Sequence, residues 1–189
     1  MTDIQALAAN FPELEELLTT LDALSNNAER RQCIVIQGSH AVAADGCTYY
    51  AVQGSELSFE IVLSRSLRLG NSAFDTPEVD FPSIRFLHYD GSIDDSSLAA
   101  RSLAAGEPLH IASVSAELGD AAYRTQGFDR LMDYHTESVL SLPMSVNAEP
   151  RGVLQFINAT NAAGDVQAFS ARQIALATAL AELFTDYLD

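Results

Sequence analysis

The sequence predicts a single α+β domain, and three observations support that prediction. The chain has 189 residues, of which 48% are hydrophobic, and this is enough for one substantial core but short for two. Residues between Cys47 and Leu63 have the composition of a β-hairpin, and two further β-rich runs lie between Val139 and Asn158. Helical spacing of apolar residues marks both ends of the chain.

The first predicted helix runs from Pro12 to Leu24, with Asn10 as its N-cap. Its apolar residues recur at helical spacing: Phe11, Leu14, Leu17, Leu18, Leu21 and Leu24. This stripe needs a covering partner, which is either this domain or a second copy of it.

The segment from Ala28 to Ala44 carries two conflicting signals. Its centre, residues 33–36, has the composition of a strand, whereas the alanines and charged residues at its ends favour a helix. The length of the segment decides for a helix. Asp45 and Gly46 are expected to end it.

A β-hairpin is predicted next, with one strand from Cys47 to Val52 and an antiparallel partner from Leu57 to Leu63. The stretch from Ser64 to Asp95 holds glycines and prolines but no sustained period. We therefore expect a long loop there, and a loop of this length is a candidate lid.

The second half of the chain alternates helix and strand signals. A capped helix is predicted over residues 98–106, and a short strand over 108–111. A polar segment follows. Two further strands are predicted around residues 139–146 and 152–158.

The last helix is opened by Ser170 and is apolar on two sides. One face carries Ile174, Ala177, Leu180, Ala181, Phe184 and Leu188, and a second carries Leu176, Ala179, Leu183 and Tyr187. The domain core is not expected to cover both faces. We therefore predict a bundle or coiled-coil contact with another chain.

The charge of the chain excludes two classes of partner. Ten Lys and Arg stand against 26 Asp and Glu, which gives a formal net charge of −16. Such a charge repels nucleic-acid phosphates and anionic lipid headgroups. No apolar run approaches the roughly 18 to 20 residues of a membrane-spanning helix. We predict no nucleic acid and no membrane among the partners.

The two cysteines, Cys33 and Cys47, are predicted to be reduced thiols. Their separation fits neither a redox C-x-x-C motif nor zinc-ligand spacing, and no metal site is expected. The start of the chain lacks the basic and apolar segments of an export signal. We therefore expect a cytoplasmic location.

The C-terminal third carries an ordered set of short motifs. They are Gly127-Phe128-Asp129, the runs 138–144 and 152–159, and Phe169-Ser170, with residues 45–50 and 97–114 extending the pattern upstream. From Ala28 to its end, the chain resembles GAF domains. The resemblance is to those that precede HD-GYP phosphohydrolase, diguanylate cyclase or adenylyl cyclase outputs in bacterial signalling proteins.

The resemblance implies a GAF/PAS-like central antiparallel sheet of about five to six strands, with helices bundled on one face and a loop-covered pocket on the other. It divides the chain into an N-terminal helical extension, residues 1–27, and a GAF domain, residues 28–189, whose last helix signals and dimerises. Because residues 183–189 look like part of a signalling helix, we expect a fragment of a larger protein. The expected assembly is a homodimer through the N- and C-terminal helices.

The resemblance does not name the effector, since pockets of this family hold cyclic nucleotides, tetrapyrroles or small organic molecules. The Asn-Lys-Phe-Asp-Glu signature of cyclic-nucleotide-binding members is matched at Asn158 and Phe169, and the chain departs from it at Ala159, Ala171 and Gln173. Bilin attachment needs a suitably placed cysteine, and neither cysteine is expected at such a place. The cofactor is left unassigned.

Candidate ligand-binding residues are rings and polar groups near the predicted loops. The rings are Phe86, His88, Tyr89, Tyr123, Phe128 and Tyr134, and the polar groups are Ser64, Arg65, Ser113, Arg124, Thr136, Ser138 and Gln155. Either the rings stack a planar ligand or they close the core beneath the loops. Arg65 and Arg124 are the cations expected to bind an anionic group of the ligand.

The sequence carries no nucleophile elbow, phosphate loop or zinc-hydrolase motif, so no catalytic residue is assigned. The predicted function is a sensory domain that binds a small molecule and regulates an output domain. The alternative is a protein interaction module with an empty pocket. A catalyst such as the methionine sulfoxide reductases found on this fold would need reactive cysteines in the pocket, and both cysteines are predicted to lie elsewhere.

Overall fold

An antiparallel sheet forms the centre of the molecule in a computed structural model that describes residues 2–70, 81–94, 96–119 and 129–188. Its strands are β1 (Ala44–Gln53), β2 (Glu56–Ser64), β3 (Ile84–Arg85), β4 (Leu109–Ile111), β5 (Val139–Val146), β6 (Glu149–Thr160) and β7 (Val166–Gln167). Their order is β3-β2-β1-β6-β5-β4, β7 pairs with β6, and every pair is antiparallel. The predicted α+β fold class is confirmed.

The helices are mostly where periodicity predicted them. They are α1 (Ile4–Asn10), α2 (Glu15–Ala23), α3 (Asn27–Val42), α4 (Leu98–Ala105), α5 (Val114–Leu118) and α6 (Ala171–Thr185), with a 3₁₀ turn at Pro12–Leu14. A helical turn also covers residues 129–132. Ser170 caps α6 in a capping box with Gln173, as its position predicted.

The N-terminal segment differs from the single helix that was predicted. Asn10 is the last residue of α1 rather than a cap, and the chain restarts as a 3₁₀ turn at Pro12 before α2 begins at Glu15. The break has a local cause, because proline has no N–H to donate and disfavours a helical conformation at Phe11 before it.

The choice of helix for the segment after Ala28 was correct, but its predicted stop was wrong. Asn26 caps α3, and Ala43 ends it in a left-handed conformation with φ 54°. Asp45 and Gly46 already belong to β1. A side chain on Gly46 would meet Ile157 of β6 at 2.8 Å, so this glycine serves close strand packing rather than helix termination.

Part of the predicted long loop is ordered pairing. β3 pairs with the start of β2, and Leu87 and Ile93 form an isolated bridge around a turn. Residues 71–80 of the predicted lid lie outside the described residues. The polar segment expected before β5 also contains the short helix α5, capped by Ser113.

One face of the sheet carries the largest hydrophobic cluster. It joins the leucines of the N-terminal helices to α3, α6 and the sheet residues that face them, such as Tyr49, Leu140 and Phe156. Each fully buried leucine of such a cluster contributes about 1.5 to 3 kcal/mol to folding. The apolar stripe of the first helices is therefore covered by this chain.

Contrary to the prediction, the core of this chain covers residues from both stripes of the last helix. Leu176 and Leu183 from the second stripe are buried together with Leu180 and Phe184 from the first. The N-terminal helices join the same cluster, and Arg172 of α6 contacts Glu13 at 2.9 Å. The N-terminal helices, for which a contact with a second chain had been left open, thus pack with the last helix in this chain's own core.

The opposite face of the sheet carries two smaller clusters with space between them. One cluster groups Tyr50, Leu57 and Phe86 with residues of α4, and the other groups Leu98, Ile111, Val114 and Val139. Within the described ranges, no helix combines the length and apolarity needed to cross a membrane.

Candidate functional site

A cavity of about 470 Å³ lies on the sheet face opposite the largest cluster. Its floor is formed by β1, β2, β5 and β6, and its cover by residues 81–85, 94, 96–99 and two residues before β5. This volume falls within the range of about 300 to 1,000 Å³ that is typical of small-molecule sites.

Strand alternation places polar and apolar floor residues side by side. Thr48 and Tyr50 of β1 face the cavity, whereas Cys47 and Tyr49, which alternate with them, belong to the core beneath the helices. In register, Thr48 lies opposite Gln155. A row of hydrogen-bonding groups therefore crosses adjacent strands at the centre of the floor.

The side chain of Gln155 is fixed by two hydrogen bonds. The hydroxyl of Tyr50 donates to its Oε1 at 3.2 Å, and its Nε2 donates to Oγ of Ser141 at 2.6 Å. Burial raises the pKa of the Tyr50 phenol, an effect that a hydrogen bond from Thr48 offsets in part. The phenol is neutral at physiological pH and offers its oxygen to a ligand as an orienting group.

Three aromatic rings form a continuous wall of the cavity. The centroids of Tyr50 and Phe59 are 4.7 Å apart, and those of Phe59 and Phe81 are 5.0 Å apart with the rings stacked. All three line the cavity. Such a wall offers a flat apolar surface to a ring or an alkyl body.

Two charged side chains line the cavity among the described residues, Arg85 and Asp94. The Arg85 guanidinium contacts Glu56 at 3.3 Å and stacks over the Tyr89 ring at 4.6 Å. Oδ1 of Asp94 accepts a hydrogen bond from the backbone N–H of Ser96 at 3.0 Å. Hydrogen bonds from Ser96 hold the pKa of Asp94 below its ordinary value, so this carboxylate is ionised at neutral pH.

The cover is anchored on both sides. Ser97 caps α4 by accepting a hydrogen bond from the N–H of Ala100. The first turn of α4 lines the cavity. Thr136 lies on the cover before β5, and its hydroxyl donates to Oδ1 of Asp129 at 2.6 Å. Oδ2 of Asp129 also accepts a hydrogen bond from the backbone N–H of Thr136 at 3.0 Å.

Of the thirteen residues predicted from the sequence, the structure brings Thr136 and Gln155 together at this cavity. Ser64, Arg65 and Tyr134 lie in a separate network around Asp45. The hydroxyls of Ser64 and Tyr134 donate to Asp45, and the Arg65 guanidinium donates to the carbonyl of Ala44.

Further predicted residues lie in structural roles around the cavity. Phe86 is buried in the cluster beside α4. The Ser113 side chain caps α5 and its hydroxyl donates to Glu137, while the Ser138 hydroxyl donates to the carbonyl of Gln167. His88 lies 3.9 Å from Asp94, and Tyr89 is 96% exposed. Tyr123, Arg124 and Phe128 lie outside the described residues.

Sequence reasoning missed most of the floor because it placed the site in the loops. The signal for Thr48 and Tyr50 was present in strand alternation, which assigns them the face opposite Cys47 and Tyr49. Phe59 had no such signal, because the β1–β2 register shifts between Tyr49 and Tyr50 and Ile61 lies on the other face of the sheet. Asp94 had no comparable signal, because an acidic residue in a loop is ordinarily exposed to solvent.

Both cysteines lie away from the cavity. Cys47 is fully buried in the core beneath the helices, and Cys33 is half-buried on α3 and packs against the same core. Burial raises the pKa of the Cys47 thiol, which disfavours the reactive thiolate. A thiol-based reaction at this cavity would lack its nucleophile.

The described part of the chain has the fold of a GAF domain. It is similar to the GAF domain of a phosphoenolpyruvate-protein phosphotransferase from Coxiella burnetii, with a TM-score of 0.66 and 14% identity over 95% of this chain and 92% of the other. The corresponding domain from Acinetobacter gives a TM-score of 0.63 and 14% identity over 100% and 94%.

An enzyme shares this fold. The free methionine-R-sulfoxide reductase from Neisseria meningitidis, solved with its substrate, gives a TM-score of 0.60 and 13% identity over 100% of this chain and 92% of the other. In sequence, no protein-family model and no curated protein matches. At these identities the likeness defines the fold alone.

Proposed function

We propose that this chain is a sensory and regulatory domain that binds a small organic molecule in the cavity above β1 and β6. The observation that carries the proposal is the floor of that cavity. It joins a three-ring apolar wall to the converging polar groups of Thr48, Tyr50 and Gln155, an arrangement typical of sites that orient a small ligand.

The route from the cavity to the helices runs through a single strand. Tyr50 faces the cavity, and its neighbour Tyr49 packs on Phe184 of α6 with ring centroids 4.6 Å apart. A ligand that shifts β1 therefore also shifts the packing of the last helix. By linkage, the effector changes the state of α6 only if it binds the two arrangements of β1 unequally.

The regulated output is part of the same proposal. A cyclic-di-nucleotide phosphodiesterase of the HD-GYP type is the output that the sequence resemblance favours, with the last helix as the connection. Homodimerisation through the terminal helices stays a prediction. The surface that α6 leaves for it is small, since its exposed positions include Arg172, Ala175 and Glu182.

The alternative of an interaction module with an empty pocket loses its main support. That alternative required two-striped helices with an uncovered face. Leu176 and Leu183 of the second stripe are buried within the chain with most of the first stripe, and the other apolar residues of both stripes are partly buried against the same core. The cavity, rather than an uncovered helix face, is therefore the feature to which we assign the function.

Thermal unfolding against a panel of nucleotides, cyclic nucleotides, tetrapyrroles, amino acids, amines and small carboxylates tests the proposal. A compound at one hundred times its dissociation constant adds about 2.7 kcal/mol to the folded state. Gln155→Leu should remove the stabilisation, because it deletes the orienting amide at the floor. Gln53→Leu, at the exposed end of β1, is the matched control and should retain it. Stabilisation by none of the compounds would contradict the proposal.

A further inference from the structure

We propose that the effector of this cavity is an organic cation, a molecule with an apolar body and an ammonium group. The body would lie against the rings of Tyr50, Phe59 and Phe81, and the ammonium beside Asp94. This inference rests on the proposed function, since it names the chemical class of ligand for the same site.

The charges that line the cavity favour a cation. Arg85 is paired with Glu56 at 3.3 Å, its guanidinium is stacked over Tyr89, and its charge acts on Asp94 only from beyond ion-pair distance. Asp94 is 18% exposed and bonded to the uncharged N–H of Ser96. Of the two charged groups that line the cavity among the described residues, the Asp94 carboxylate is therefore the one with no oppositely charged group at hydrogen-bond distance.

Among the residues that the structure describes, the basic group nearest to Asp94 is a histidine. Nδ1 of His88 lies 3.9 Å from Oδ2 of Asp94, which is longer than a hydrogen bond. Oδ2 therefore keeps its acceptor capacity. An ammonium group of a ligand can donate to it and match its charge.

An anionic ligand group fits the same place poorly. The first turn of α4 faces the cavity and would ordinarily attract an anion. Here the Asp94 carboxylate already lies just before that turn, and Ser97 satisfies the N–H of Ala100. A second negative charge would lie beside the first and be repelled.

The aromatic wall supplies the second half of the recognition. Ring faces carry negative electrostatic potential and attract cations, and three rings line this cavity within 5.0 Å steps of each other. The same rings hold an apolar body by burial. A neutral molecule would gain the burial alone, whereas an ammonium gains both interactions.

Three probes that share a phenyl ring and differ in charge test the inference: phenethylamine as its ammonium at pH 7, 2-phenylethanol and phenylacetate. Isothermal titration calorimetry should give the ammonium an affinity at least about tenfold higher than the alcohol, and phenylacetate the weakest binding. Asp94→Asn should reduce this preference to less than about threefold, because it removes the charge that the ammonium uses and the alcohol does not. Asp90→Asn is the matched control, because Asp90 accepts from Ser92 in the same way on the surface of the same loop.

The outcomes distinguish a failure of the cation assignment from a failure of the proposed sensory function. Equal binding of ammonium and alcohol, or an ammonium preference that survives Asp94→Asn, would overturn the inference. If a neutral or anionic compound stabilises the protein and Gln155→Leu abolishes that effect, the sensory function stands and the cation assignment falls. If no compound of any charge binds, both fall together.

Discussion

The phenolic hydroxyl of Tyr134 donates a hydrogen bond of 2.8 Å to Oδ2 of Asp45, although 89 positions separate the two residues in the sequence. The same carboxylate accepts from Ser64 and Ser66, and Nδ2 of Asn158 donates to the Tyr134 hydroxyl at 2.8 Å. This network ties the segment that carries Thr136 over the cavity to the start of β1.

The network predicts a specific stability loss for Tyr134→Phe. Removing the hydroxyl deletes one hydrogen bond to Asp45 and one from Asn158, which should lower the free energy of unfolding by about 1 kcal/mol. Tyr89→Phe is the control, since Tyr89 is 96% exposed and should lose nothing measurable. Urea unfolding of the two variants measures the difference, and equal losses would contradict the role given to Tyr134.

Alkaline pH should destabilise the protein from about pH 8.5 upward, where the Cys47 thiol ionises in an unfolded chain, and more steeply from about pH 10, the ordinary pKa of tyrosine there. Burial raises the pKa values of Tyr50 and Tyr134 in the folded state, and for Tyr134 the hydrogen bond to Asp45 adds to the effect. The folded protein therefore holds these protons more tightly, and the stability they provide is complete below pH 10 and lost as pH rises above it.

The composition limits which side chains contribute to that pH dependence. The chain contains no lysine, so tyrosine and cysteine are the side chains that titrate in this range. Urea unfolding between pH 9 and about 11 should show a shallower decline for Tyr50→Phe than for the wild type. The same decline in both proteins would contradict the assignment to Tyr50.

Gly152 in β6 is predicted to tolerate no side chain. A Cβ at this position would lie 2.3 Å from the carbonyl oxygen of Tyr50 and 2.8 Å from the Tyr49 ring. Gly152→Ala should therefore force β1 and β6 apart and cost about 1 to 3 kcal/mol or more. Gly54→Asn is the control, because the turn at Gly54 has open space and asparagine adopts its positive φ. Equal melting temperatures for the two variants would show that β1 moves to accommodate a side chain at position 152 without a loss of stability.

The burial of α6 predicts how its leucines contribute to stability. Leu183→Ala should lower the free energy of unfolding by about 2 to 5 kcal/mol, since Leu183 is fully buried in the chain's own core. The loss should be the same at every protein concentration. A loss that grows on dilution, with a change of mass by light scattering, would show that a second chain covers this stripe.

The sequence predicted the fold well because local patterns decided most elements. Alternation marked β2, and Ser170 marked the start of α6, where the structure adds Gln173 as the second half of a capping box. It failed where an element's environment depends on distant segments. The second stripe of α6 is covered by helices more than one hundred positions away, and periodicity cannot reveal which segment covers which.

The site was harder to predict than the fold for the same reason. Ser64 was chosen as a polar group and Tyr134 as an aromatic ring near the predicted loops, and both hydroxyls donate to Asp45 instead. Thr48 and Gln155 become neighbours only through the β1–β6 register, which brings together residues 107 positions apart (155 − 48). Register of this range follows from the whole fold rather than from the local sequence.

Amide NMR of the wild-type protein during titration with phenethylammonium tests the central claim most directly, since it reports where the probe binds and how far the effect travels. The account predicts shift changes first at Thr48, Tyr50 and Gln155, then at Tyr49 and Phe184 across the sheet, all of them absent in Gln155→Leu. No changes at the highest soluble probe concentration would contradict the cation assignment, and changes confined to surface loops would contradict a ligand site above β1 and β6.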